Sequence, residues 1–162
     1  MKIGVISDTH ISIDAKDIPP EILEEFKSAD MIIHAGDLVD LAVLDELHRV
    51  CKDVKAVCGN MDPQEVRNKL PKKELIVIGN FRIGVMHGWG PADKLIDMMS
   101  EAFKSDKVNL IIFGHSHQAM NIRKDGIVYF NPGSPTDTVY AAYKSFGIIE
   151  ISDRIEARIV RL

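Results

Sequence analysis

Apolar and polar stretches alternate along the first third of the chain. Residues 2–7 read as a buried strand. Residues 20–28 read as a helix that starts at Pro19-Pro20 and turns Ile22, Leu23 and Phe26 inward. Residues 31–35 form a second apolar run. Residues 40–51 place Leu44, Leu47, Val50 and Cys51 at helical spacing, and residues 54–58 give a third strand. This β-α-β-α-β order predicts parallel strands joined by right-handed crossovers.

The pattern then changes. Residues 74–78 and 81–86 read as strands about the short turn Gly79-Asn80, a hairpin signal. Gly90-Pro91 opens a helix to about Lys104, with Leu95, Ile96, Met99 and Phe103 on one side. Residues 109–113 are strongly apolar. Residues 120–123 and 127–130 flank Lys124-Asp125-Gly126, and residues 143–151 and 155–160 make a last hairpin. Roughly ten strands and three helices are too much strand for one doubly wound sheet. Two mixed sheets packed face to face, with helices outside, fit better.

Five of these strands end in a residue that can ligate metal: Asp8-Thr9-His10, Gly36-Asp37, Gly59-Asn60, His87-Gly88 and Gly114-His115-Ser116-His117. In open α/β sheets, ligands bind in the crevice outside the strands' carboxyl ends. In extended chain, residues i and i+2 point to the same side. Asp8 and His10 are therefore expected to grip one ion together, and His115 and His117 one ion or two adjacent ones. The adjoining glycines let backbone approach the cluster.

Two Asp, one Asn and four His, with no Cys, suit Mn²⁺, Fe, Zn²⁺, Co²⁺ or Ni²⁺ better than Ca²⁺ or thiolate-seeking ions. Seven side chains exceed the four of a tetrahedral structural site, so two divalent ions sharing one ligand fit the count. A carboxylate can bridge and an imidazole cannot, which selects Asp37, in the middle of the series. Two divalent ions bring more positive charge than Asp8 and Asp37 return. Such a centre favours a hydroxide and an anionic substrate, the arrangement that phosphoester hydrolysis uses.

Composition narrows the setting. The chain has 162 residues, suited to one domain over residues 1–162, and a net charge of −4, which argues against a broad nucleic-acid or membrane-binding surface. No apolar run approaches membrane-spanning length. Cys51 and Cys58 make no CxxC pair and read as buried thiols of a reducing, cytoplasmic compartment. His34 reads as a hydrogen-bonded strand histidine or a group that orients a ligand. His48 reads as exposed, Asp62 as a cap or turn before Pro63 or a support behind the ligands, Met98-Met99 as helix packing, and Trp89 as core first and otherwise as a wall that stacks on a substrate's base or ring. Asn131-Pro132-Gly133-Ser134 reads as a turn supporting the site.

The motifs D-x-H (Asp8, His10), G-D (Asp37), G-N (Asn60), H-G (His87) and G-H-x-H (His115, His117) stand in the order seen in the calcineurin-like metallophosphoesterases. With the late NPGS, the chain most resembles their small YfcE-type phosphodiesterases over nearly its whole length. The resemblance implies an α/β fold, a four-layer α/β/β/α sandwich of two mixed β-sheets flanked by helices. It implies that Asp8, His10, Asp37 and His117 hold one ion, and Asp37, Asn60, His87 and His115 the other. Asp37, Asn60 and His87 are expected to do the catalytic work. The reading is a dinuclear phosphodiesterase, with manganese foremost and Ni, Fe, Zn or Co as alternatives, in which a metal-bridging hydroxide attacks phosphorus. A small-molecule or terminal phosphodiester is the expected substrate, and an edge-strand or helix-mediated homo-oligomer is open to the fold.

One departure stands out. Much of the superfamily continues G-N with a His thought to protonate the leaving group, where this chain has Met61. A thioether transfers no proton. A phosphomonoesterase is therefore the weaker alternative. A second rival is a non-catalytic scaffold, as in the retromer subunit of this fold.

Overall fold

The computed structural model of the protein describes residues 1–11 and 18–162. Ten strands form two five-stranded sheets. The first sheet has the order β10-β9-β1-β2-β3. Its parallel strands are β1 (Lys2–Ile6), β2 (Met31–His34) and β3 (Val54–Ala56), and the antiparallel pair β9 (Ser145–Ile151) and β10 (Ile155–Arg161) extends it beyond β1. The second has the order β4-β5-β6-β8-β7. Here β5 (Phe81–Met86), β6 (Leu110–Ile112) and β8 (Ile127–Asn131) are parallel, and β4 (Lys73–Ile78) and β7 (Met120–Lys124) close the edges as hairpins.

Side-chain alternation along the strands divides the core. Ile3, Val5 and Ile33 face Ile83, Val85 and Ile112 between the sheets. From the opposite face of the first sheet, Ile6, Ile32 and Ile148 pack under Ile22 and Phe26 of α1 (Pro20–Phe26) and Val43 and Leu47 of α2 (Ala42–Val50). Ile111, Phe113 and Tyr129 do the same under Leu95, Met99 and Phe103 of the long C-terminal-half helix, Leu95–Phe103. The expected α/β/β/α sandwich is therefore the observed one.

The helix count differs from expectation. A six-residue helix, α3 (Gln64–Lys69), follows Pro63, and the helix at Leu95–Phe103 is thus α4, entered through a 3₁₀ turn at Ala92–Lys94. Val66 is the only side chain that α3 buries, so its sequence carries almost no apolar period. The tight turn between β7 and β8 places Asp125 and Gly126 in left-handed backbone, as a two-residue hairpin loop requires. Among the described residues, no helix is long and apolar enough to cross a membrane.

Candidate metal centre

β1, β2 and β3 of one sheet, and β5 and β6 of the other, end on the same side of the molecule. Their following loops are tied together across the inter-sheet boundary. Within the first sheet, the Asp8 N–H donates to Gly36 O and the His10 N–H to Asp37 O. Between sheets, His87 Nδ1 donates to Ala35 O at 2.7 Å, and the His115 N–H donates to both carboxylate oxygens of Asp8 at 3.1 Å.

All seven sequence-selected side chains meet here, though not through extended backbone. Asp8, His10, Asp37, His115 and His117 all adopt positive φ, between 46° and 73°. Each such non-glycine residue costs about 1–3 kcal/mol. The loops curl around the site because left-handed residues reverse the chain, whereas extended i, i+2 pairs would carry it away.

The first group joins Asp8, His10 and His117, with His10 Nε2 3.1 Å from His117 Nε2, and His117 Nε2 3.4 Å from Asp8 Oδ1. The second joins Asp8, Asp37 and His87, with His87 Nε2 3.1 Å from Asp37 Oδ2 and 3.7 Å from Asp8 Oδ1. Each group could hold a metal ion. Asn60 and His115 form the adjoining pair, Asn60 Oδ1 lying 2.8 Å from His115 Nδ1, and the His115 ring meets His87 edge-on. Asp37 stands between the groups, its Oδ2 3.8 Å from His10 Nε2 on the other side. Its Oδ1 is taken by the Met61 N–H at 2.7 Å.

These separations suit a shared cation. Atoms bound about 2.1 Å from one ion stand roughly 3–3.4 Å apart. The stronger observation is His87. Its Nδ1 proton goes to Ala35 O, so in the neutral ring Nε2 offers a lone pair. That atom is buried, has no hydrogen-bond partner among the described residues, and faces two carboxylates. A lone pair among anionic oxygens is repulsive until a positive charge stands between them. Burial works against a charged His87, yet Asp37 and Asp8 outweigh it and raise its pKa. Burial raises the Asp8 carboxyl, whereas for Asp37 it is overcome by His87, the Met61 N–H and His10, and the carboxyl is lowered. The centre is thus built for positive charge.

Three supporting residues carried weaker sequence signals. Asp62 is buried and accepts the N–H groups of Asp37 at 3.1 Å, Val39 at 2.7 Å and Gly59 at 2.7 Å, clasping the loop after β2 to the loop after β3. Asp137 accepts from His117 Nδ1 at 2.6 Å, which turns Nε2 to the cluster. Against burial, the N–H groups of Val139, Tyr140 and Ala141 and the His117 ring hold its carboxyl down at about 2. No sequence spacing marks Asp137, which lies 20 residues beyond the histidine it orients. Arg67 donates to Asp62 O and Asn60 O, stapling that turn. At Gly59, a Cβ would stand 2.1 Å from Asp37 Oδ1, so only glycine fits.

The remaining expectations resolve as follows. His34 is fully buried, and among the described residues its ring hydrogen-bonds only to Thr9 and the Gly36 N–H. It accepts the Gly36 N–H on Nδ1, so Nε2 carries the proton and donates to Thr9 Oγ1. The NPGS turn supports the site, with Asn131 donating to Gly114 O and Ser134 to Asp8 O. His48 is exposed, Met99 is core, and both cysteines are buried free thiols. Trp89 is not core. It is 54% exposed, three residues beyond the end of β5 at Met86.

Residues 1–154 match the sequence model of the calcineurin-like phosphoesterase superfamily domain. The chain belongs to this superfamily. The chain is 37% identical over 163 residues to a probable metallophosphoesterase of Methanocaldococcus jannaschii, covering 99% of this chain and 81% of that one. Its fold is similar to the solved structure of an archaeal phosphodiesterase, with a TM-score of 0.80, 25% identity and full coverage of both chains. It is similar as well to zinc-complexed Vps29 from Entamoeba histolytica, with a TM-score of 0.76, 25% identity and 99% coverage of each chain.

Proposed function

We propose that this phosphoesterase hydrolyses phosphodiesters using two divalent ions, manganese foremost. Asp8, His10, Asp37 and His117 hold one, and Asp37, Asn60, His87 and His115 the other. The observation that carries the reading is the buried, unpartnered Nε2 of His87 between Asp37 and Asp8, with further nitrogen and oxygen donors on either side of Asp37. When bound, such ions supply Lewis acidity to the phosphoryl oxygens and lower the pKa of a water toward ~7.

The chain's own part is positioning. Met61 N–H occupies one oxygen of Asp37 and leaves the other, Oδ2, toward both histidine groups. Asp137 sets the tautomer of His117, Ala35 O sets that of His87, and Gly90 O takes the Nε2 proton of His115. Asp37, which stands between the two groups, Asn60 and His87 are the proposed catalytic ligands. Position 61 supplies no proton, its thioether being 60% exposed. Substrates whose leaving oxygen departs as a stabilised anion are accordingly favoured.

The test is turnover of bis(p-nitrophenyl) phosphate and p-nitrophenyl phosphate with added Mn²⁺. The diester is expected to be cleaved faster, with about 100-fold or greater loss in Asp37→Asn and His117→Ala. Metal-independent turnover, or equal rates in the variants, would refute it. The likeness to Vps29 favours a second reading, a binding module. That reading predicts no turnover of either ester.

A further inference from the structure

Two clefts flank the cluster. One, of about 790 Å³, runs past His10 and His117, and its lining includes Ile11, Ile18, Val139 and Tyr140. The other, of about 620 Å³, runs past Asn60 and His87 and carries Arg67, Lys72 and Trp89. Both are of ligand size. A diester has two arms, so a centre between two clefts suits it. The clefts differ in chemistry, and so should the arms.

We propose that the Trp89 cleft is a nucleotide subsite: the indole stacks on a base, and Lys72 and Arg67 receive an anionic group of the same nucleotide. This rests on the phosphodiesterase reading. Three observations support it. Trp89 is more than half exposed although its neighbours His87 and Gly88 are buried, so a large aromatic face stands open at the cleft. Lys72 is exposed and makes no ion pair among the described residues. Arg67 spends two of its five N–H groups on Asp62 O and Asn60 O, which fixes the guanidinium at the rim and leaves three donors. These two cations share one cleft on a chain of net charge −4. An exposed aromatic beside fixed cations recognises a flat, anionic group, because a base stacks on the aromatic face while the cations meet the charge. Among the described residues the opposite cleft is lined mostly by apolar groups, which suits a less polar arm.

Trp89 is the chain's single tryptophan, so its fluorescence reports this cleft alone. The full chain is titrated with AMP, ribose 5-phosphate and inorganic phosphate, in EDTA and again with Zn²⁺. Saturable quenching by AMP is expected, with at least tenfold weaker responses to the other two, and Lys72→Ala should raise the AMP midpoint about tenfold. In parallel, Trp89→Ala should lower the ratio of kcat/KM for thymidine 5′-(p-nitrophenyl phosphate) over bis(p-nitrophenyl) phosphate about tenfold. No AMP response in either condition, an equal response to ribose 5-phosphate, or an unchanged ratio would overturn the subsite. Failure of the phosphodiesterase reading shows separately, as absent hydrolysis of bis(p-nitrophenyl) phosphate while the fluorescence titration still reports.

Discussion

Met61 donates its backbone N–H to Asp37 Oδ1, while its side chain stands in water. Replacing that side chain leaves the hydrogen bond untouched. Met61→His should therefore raise turnover of a diester with an alkoxide leaving group by about tenfold or more, and that of bis(p-nitrophenyl) phosphate much less, since general acid catalysis helps most where the leaving oxygen is basic. Steady-state rates on both esters check this, and an equal gain on each would show that position 61 does not govern protonation. Asp137 acts through His117. Asp137→Asn keeps an acceptor but loses the charge, and should weaken Mn²⁺ binding about tenfold, the low end of the effect of losing such a partner. Calorimetric titration measures it, and an affinity equal to wild type would remove Asp137 from the site. Sequence pattern singled out the seven side chains because each sits within four residues of the end of an apolar run. It did not reach Asp137, whose role depends on a contact across 20 residues of loop.

At the scale of elements, the loops after β2 and β3 are held by one carboxylate. Asp62→Ala strips the acceptor from three N–H groups beside the buried Asp37. A loss of about 2–4 kcal/mol in urea unfolding is expected, from donors left unsatisfied in the interior. A change below about 1 kcal/mol would mean that water replaces the carboxylate. The strands were legible because alternation and apolar runs are local properties. Helix α3 was not, because one buried Val66 in six residues leaves no period to read. The curled ligand loops were not legible either. Local chemistry disfavours left-handed Asp and His, and only the hydrogen bonds between loops hold them there.

At the scale of the whole molecule, His34 links the site's scaffold to pH. Burial foremost, and then the nearby His87, lower its pKa from 6.5 to about 3. The unfolded imidazole gains its proton below about pH 6.5, while the folded one stays neutral until near pH 3. Between these values the unfolded state holds one more proton, so stability falls with acid by about 1.4 kcal/mol per pH unit from this group, and is unaffected by it above pH 6.5. His34→Gln should be less stable at pH 7, and its deficit should narrow as pH drops toward 4.5. Urea midpoints of the metal-free proteins check this, and a constant deficit would mean that His34 titrates normally in the folded state.

By itself, the sequence determined the strands, three of the four described helices and the two-sheet architecture, and it singled out seven side chains that the fold brings together, because apolar periodicity and residue chemistry act over a few positions. Tertiary structure alone decided how those donors are aimed. His87 became a buried lone pair between two carboxylates only when β5 of one sheet met β2 of the other. Asp62, Asp137 and Arg67 acquired their tasks from loops distant in sequence, and Trp89 moved from expected core to the wall of a cleft. Hydrogen bonding and charge at a site are summed over space, and no spacing along the chain contains that sum.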